Sequence, residues 1–409
     1  MAQSVRQRNL FAAEDFRVVY DSFKQANFQA YDYDTIRSVL VDYIQEQYPE
    51  NFNDWIQSSE FVALIETLAF LAHSLAFRVD LASRENFLST AERRASVLRI
   101  ADFLGYTPAR HLPARGNLKI TTIRTNQNVF DVAGENLKNE TVNFEEDYQN
   151  FLLVMNEVLS ANNKFGRPVN SSVIGNVQTD QYSTNISDGE KFIFGFNARV
   201  NGNRTPFEVH STRVDNQTNT IVETDPDPFS GFNVMYFNDQ QGIASNTTGF
   251  FVGFKQGRLS NIDLNADTSV ANLVINPGTQ DVNNADIWLQ NIADDGTVEK
   301  TWTQVDSSFG AGQVFTNISN ELRDLYTVKT VDNDNINVVF GDGVFSNIPR
   351  GIVRLWYRTG LNQTYTLNPE DVGTVNFSFK YDAADGNQYT VNFLSLIHIS
   401  EPTRPLYIS

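Results

Sequence analysis

The stretch FGDGVFSNIPRG, Phe340 to Gly351, decides how this chain is read. Two glycines flank an aspartate, a proline–arginine–glycine follows, and NINVVF and IVRLWYR on either side have the apolar content of strands. A phosphate-cradling loop would carry Lys-Ser/Thr after its glycines, at the mouth of a helix. Val344 and Phe345 stand there instead, and no helix signal follows. The remaining reading is a structural turn of Gly341, Asp342, Gly343, Pro349 and Gly351, whose glycines allow positive φ in a tight connection between two strands. The chain is then a β-rich building block rather than a nucleotide-binding enzyme.

Working outward, the same texture extends far upstream. KFIFGFNARV, FNVMYF, GFFVGFKQG, NLVIN, DIWLQNI and LYTVKTV are short β-type runs separated by Gly, Asn, Asp and Pro, and VNFSFKY continues the series downstream. LKITTI, from Leu118, is the first of them. One helical insertion interrupts: EEDYQNFLLVMNEVLSA places Tyr148, Phe151, Leu152, Met155, Val158 and Leu159 on one face.

Before Gly116 the period is helical. TIRSVLVDYIQEQY offers Ile36, Val39, Leu40, Tyr43 and Ile44 as a stripe. In SSEFVALIETLAFLAHSLAFRVD the residues Phe61, Leu64, Ile65, Leu68, Leu71, Ala72, Leu75 and Val79 recur at three- and four-residue steps, with Ser58 or Ser59 as cap. STAERRASVLRIADFLGYTP gives a third helix, capped by Ser89 or Thr90 and stopped by Gly105. The long helix is apolar around nearly its whole circumference. It is either an ordinary core element packed on the β region or part of a bundle completed by another chain.

The expected class is therefore α+β: an N-terminal helical bundle segment, then mainly antiparallel β domains of sandwich or barrel type with one helical insertion. The expected division is an arm over 1–30, a helical domain over 31–115, a first β-rich domain over 116–228 with its helix near 145–161, and a second over 229–393. DPDPF, Asp225 to Phe229, is the expected linker.

Across 409 residues Asp+Glu number 49 against 31 Lys+Arg, a net charge of −18, which disfavours nucleic-acid backbones and anionic membranes as partners. Cysteine is absent, which excludes disulfides, thiolate zinc sites and a cysteine nucleophile. No signal peptide is expected, and no window reads as the roughly 20-residue apolar run of a membrane span. DNDNIN has Asp332 and Asp334, but Ile336 stands where a calcium loop needs a third oxygen. ADDG, Ala293 to Gly296, reads as a hairpin turn. His73, His111 and His210 have no partner at matching spacing. The acidic pairs Glu145–Glu146 and Asp294–Asp295 are adjacent, hence poorly placed for paired-carboxylate hydrolysis, and read as solvated surface. No catalytic, cofactor-binding or metal-binding residue is expected.

A wider constellation carries a resemblance. WTQVDSSFG from Trp302, then LYTVKTVDNDNINVVFGDGVFSNIPRGIVRLWYRTG, is similar to the baseplate J-like proteins, wedge subunits of contractile phage tails. The helical segment ending in Leu104 to Pro108 resembles the large wedge subunit of T-even-like phages, and FKQGRL and NADIWLQNI resemble its cyanophage-type versions. SNIPR, Ser346 to Arg350, departs from the family, where that loop often carries a Gly with a second Pro or an Ala. The resemblance implies a non-enzymatic structural subunit of the virion tail baseplate, assembled in the host cytoplasm. Its implied partners are a second copy of itself and a larger wedge protein, joined through a helical bundle, and other baseplate and sheath-initiating proteins, with no nucleic acid and no membrane. Phe61, Leu64, Ile65, Leu68, Leu71 and Leu75 are then the interface helix. A tail fibre or adhesin is the alternative. LSLIHISEPTRPLYIS, from Leu394, resembles a translated sequencing adaptor, so 394–409 is expected to be an artefactual tail and the natural chain to run on past Phe393.

Overall fold

LKITTI becomes the middle of β1 (Arg115–Thr125), whose inward residues Leu118, Ile120 and Ile123 are fully buried. In the computed structural model, β1 pairs antiparallel with β10 (Gly249–Gln256) on one side and β20 (Gln388–His398) on the other. Residues 32–47, 59–106, 110–159, 167–266, 270–305, 323–331, 335–344, 346–361 and 367–398 are described. The chain divides into two units, 1–106 and 107–409. Helices precede a mainly antiparallel β region, so the class is α+β.

The β unit is built on a ten-stranded sheet. Its path runs β19 (Thr374–Asp382), β20, β1, β10, β9 (Phe232–Asn238), β4 (Val177–Thr184) and β3 (Asn170–Ile174). Off this path, β2 (Val142–Asn143) pairs with β1, and β6 (Asn203–His210) pairs with β10 and with β5 (Phe194–Val200). Phenylalanines fill the core: Phe144, Phe151, Phe207, Phe232, Phe254 and Phe393 are each essentially inaccessible. The helical insertion, α4 (Tyr148–Val158), buries Phe151, Val154, Met155 and Val158 there, and Asp147 caps it by accepting from the Asn150 amide at 3.3 Å. A hairpin of β7 (Thr212–Asp215) and β8 (Thr220–Glu223) completes this part.

Between β10 and β19 the chain makes a second, smaller layered body with its own core of Val282, Leu289, Tyr326, Val338, Phe340, Val353 and Leu355. One sheet orders β11 (Arg258–Ala266), β18 (Gly351–Thr359), β13 (Val282–Ile292) and β14 (Val298–Thr301). The other orders β12 (Val274–Ile275), β17 (Ile336–Phe340), β16 (Leu325–Thr330) and β15 (Thr303–Gln304). ADDG forms the β13–β14 turn, with the Ala293 amide donating to the Thr297 carbonyl at 2.9 Å.

Three expectations change. DPDPF does not separate two β domains: β4 and β6 before it and β9 and β10 after it are neighbours in one sheet. The division at 228/229 is replaced by an insertion, 258–359, inside a sheet made from both flanks. The β20 strand also crosses the expected break after Phe393. Its backbone pairs with β1 through His398, and buried Ser395 donates to the Val375 carbonyl at 3.1 Å. Ser395 is buried while Leu396 is half exposed, the reverse of an apolar-in pattern, so backbone pairing with β1 and β19 carries the strand past Phe393.

In the helical unit, α1 (Tyr33–Gln47) lies against α2 (Ser59–Arg84), and Arg37 meets Glu66 at 3.5 Å. The third helix, α3 (Arg94–Phe103), starts later than expected. Ser89 and Thr90 do not cap it; the Glu85 carboxylate reaches forward and accepts from the Glu92 and Arg93 amides at 3.2–3.3 Å. Gly105, at φ +74°, ends it as expected, with the Tyr106 amide donating back to the Ala101 carbonyl at 2.8 Å. A four-residue helix, α5 (Pro369–Val372), precedes β19.

Candidate functional site

Three places hold the residues singled out by sequence. The first is the FGDG loop. It is not a tight hairpin: β17 and β18, which it joins, belong to opposite sheets of the inserted body. Gly343 (φ +87°) and Gly351 (φ +75°) do use the left-handed region. Gly341 serves closeness instead, since a Cβ there would collide with the hydroxyl of fully buried Ser346. The Gly343 amide donates to the Ser346 carbonyl at 3.0 Å, the Val344 amide to Asp342 Oδ1 at 2.9 Å, and Pro349 is buried. With the Asn347 amide donating to the Arg323 carbonyl at 2.7 Å, the loop's donors are spent within the inserted body, which suits a strut and not a phosphate cradle.

The second place is α2. The period predicts one buried face; among the described side chains of α2 only Ile65 and Ala69 are buried. Leu64, Leu68, Leu71 and Leu75 are 47–55% exposed, and Phe70 and Phe77 more so. Phe61 lies in the helix, but its side chain is outside the described residues. Val62–Arg84 is also long and apolar enough to cross a membrane by length and composition, which overturns the expectation that no window is. His73 is half-buried on this helix.

The third place was not visible in the sequence. It lies at the neck, where the chain enters the inserted body through Gln256–Gly257–Arg258 and leaves through Arg358–Thr359–Gly360. Gly257 (φ +126°) permits the crossing, because a Cβ would meet the Thr359 carbonyl at 2.6 Å and the Arg358 side chain at 2.7 Å. Arg358 is wholly buried. Its guanidinium forks onto Glu223 at 2.7 and 3.0 Å and reaches Glu208 at 3.1 Å and Asp286 at 3.4 Å. Lys255 lies 2.6 Å from both Glu223 and Asp286. Asn283 donates to Asp286 at 2.9 Å, and Glu208 accepts the Leu259 amide at 2.9–3.0 Å. Two cations thus hold three carboxylates drawn from β6, β8 and β13.

Burial works to raise the Glu223 carboxyl, yet His210, Arg358 and Lys255 together outweigh it and hold it well below the ordinary range. For Glu208 burial wins over Arg358, and its carboxyl is pushed up. His210, buried beside them, is pushed down to about 4 by burial, with Lys255 and Arg358 adding to the effect against Glu223. It is therefore neutral at neutral pH. Spacing alone gave His210 no carboxylate partner; the fold brings Glu223 to it.

The same region grips the first described residues of the β unit. Buried Arg110 donates to Thr330 Oγ1 at 3.1 Å and to the Asn284 carbonyl at 3.0 Å, while the Asn284 amide donates to the His111 carbonyl at 2.9 Å. Gln290 fastens the DPDPF segment by donating to the Pro226 carbonyl at 2.9 Å.

This arrangement supports cohesion better than catalysis. His210 Nδ1 touches the backbone carbonyl of Ser211 at 3.1 Å, and the Ser211 hydroxyl is occupied by the Asn233 amide at 3.0 Å and Thr224 at 3.2 Å, so no nucleophile–base pair forms. Glu145, Glu146, Asp294 and Asp295 are exposed. Asp332 and Asp334 lie outside the described residues. Among the described residues no three or more His, Asp or Glu side chains are placed to hold a metal ion. The signal that could have marked the neck is Lys255 directly after the apolar run GFFVGF, and Arg358 directly after LWY.

Residues 116–397 match the model of a family described as Domain of unknown function (DUF8360), a span of more than half the chain. No curated protein matches the chain.

Proposed function

The chain belongs to the DUF8360 family, and we propose that it is a structural subunit of a contractile-tail baseplate wedge, assembling around the tail hub and tube. One observation carries the reading: α2 holds Leu64, Leu68, Leu71 and Leu75 about half exposed beside Phe70 and Phe77. Covering each leucine would contribute about 1 kcal/mol, so a helical bundle formed with other chains would be held mainly by this face. The baseplate J-like resemblance through FGDG, Pro349, Gly351 and the Tyr-Arg strand says which kind of assembly. The β unit then acts as a stiff block, its inserted body fixed by the neck charges, and movement between subunits during contraction falls at their interfaces.

The test is co-expression with the products of neighbouring tail reading frames, followed by light scattering. A stable heteromeric complex lost in Leu64→Asp/Leu68→Asp supports the reading. A monomer that ignores every tail protein sinks it and favours the adhesin.

A second reading has one observation behind it, the length and apolarity of Val62–Arg84, which would suit insertion into a bilayer. Flotation with phosphatidylglycerol-containing vesicles separates the two. Co-flotation that survives carbonate extraction favours the membrane, and protein left at the bottom of the gradient favours the bundle.

A further inference from the structure

The hairpin of β5 and β6 ends in a charge arrangement that the wedge reading does not use. Arg199 and Arg204 are directly paired across the two strands, and both are exposed. Their inward neighbours Ala198, Val200 and Thr205 are buried, which fixes the arginines on the outer face. Like charges in that relation oppose strand pairing, and neither arginine has an ion-pair partner among the described residues. They line a shallow hollow with Asn197 and Gly202. In a chain of net charge −18, such a basic tip calls for carboxylates.

A matching acidic feature sits at the far end of the sheet. Glu145 and Glu146 are consecutive and exposed, in a turn fixed by Asn143 Oδ1, which accepts the Glu145 amide at 2.9 Å and the Glu146 amide at 3.4 Å. Their internal neighbour, Lys119, is 3.8 Å from Glu145 and is otherwise taken by the Ser245 carbonyl at 3.0 Å. Gly249, the first residue of β10, packs on Lys119 and Phe144 beside this turn. At the other end of β10, Gln256 pairs with Phe207, from which β6 runs on to Asn203 and the arginines. At about 3.3 Å per residue the two features stand roughly 35 Å apart, too far to meet within one molecule.

We propose that the Arg199–Arg204 tip of one copy docks on the Glu145–Glu146 turn of a second copy. Two arginines meet two glutamates, a pairing that guanidinium–carboxylate geometry favours. The complementary patches lie at opposite ends of the same sheet, so the contact is head-to-tail and repeats from copy to copy. The proposal does not rest on the wedge reading, because the apolar face of α2 takes no part in it.

The experiment is sedimentation velocity on the full chain carrying Leu64→Asp/Leu68→Asp, which removes apolar association. The expected result is concentration-dependent self-association, weakened on the order of tenfold or more between 50 and 500 mM salt. Arg199→Glu/Arg204→Glu abolishes it, and so does Glu145→Lys/Glu146→Lys. Mixed together, the two variants associate again, because the reversed tip meets the reversed turn. Self-association that ignores both charge reversals overturns the proposal. So does a mixture no more associated than its components, or a chain monomeric at every concentration.

Discussion

The helical unit and the β unit place their side chains in opposite senses. In α2 Leu64, Leu68, Phe70, Leu71, Leu75 and Phe77 face outward, and among its described side chains only Ile65 and Ala69 are covered. At the neck of the β unit five charged groups face inward, and Arg358 and Asp286 have no exposed surface at all. The contrast teaches where each unit's stability resides. Charges buried in mutual contact make a self-sufficient block, because removing any one leaves the others uncompensated. Apolar residues left outside make a unit whose largest favourable term, the removal of apolar area from water, is unspent until something covers them.

The strongest way to break the comparison is to remove the central cation. Arg358→Met leaves Glu208, Glu223 and Asp286 buried with Lys255 alone, and a loss of about 3–5 kcal/mol is expected in urea unfolding. Arg358→Lys keeps the charge but loses the fork, and roughly half that loss is expected. If Arg358→Met were neutral, the neck would be a passive filler and the contrast would collapse.

Acid probes the same block next. His210 falls from 6.5 to about 4 on folding, so the unfolded chain takes up a proton that the folded one refuses. Its contribution is complete above pH 6.5 and is lost as pH falls toward 4, for about 3 kcal/mol in all. Glu223, lowered by His210, Arg358 and Lys255, adds a loss below pH 4.5. Glu208, raised by burial, acts in the other direction and softens it. His210→Gln should flatten the melting temperature between pH 6.5 and 4 relative to wild type. An unchanged slope would mean that the buried ring does not control the acid limb.

The smallest effects sharpen the helical side. Ile65→Ala should cost the lone chain about 2 kcal/mol, whereas Leu68→Ala, three residues on, should change it by under about 0.5 kcal/mol. Circular dichroism during thermal unfolding distinguishes them. Equal losses would show that α2 is already covered on both faces.

Much of the fold could be read from local pattern, because local pattern caused it. Alternation in LKITTI and VNFSFKY, the Phe151–Met155–Val158 face of α4 and the left-handed stop at Gly105 depend on neighbours within a few residues. The start of α3 misled because its cap comes from Glu85, outside the usual capping window. DPDPF misled because proline-rich composition marks a loop without saying whether the strands on either side rejoin one sheet. The pairing at the neck could not be read: Arg358 and Glu223 are 135 residues apart and meet only once the sheet exists. The exposed face of α2 was half legible, since sequence showed too much apolar surface but not which part would stay uncovered.

The insertion at the neck also sets an order of events during synthesis. Glu208 and Glu223 leave the ribosome long before Arg358, and at 5–20 residues per second the 135-residue wait from Glu223 lasts roughly ten seconds. The middle of the large sheet waits longer still, since β1 must hold one edge open until residues 388–398 arrive to pair with it. For that interval a phenylalanine-lined half-sheet stands unfinished. This protein therefore has reason to be made without pauses, and under the care of a chaperone.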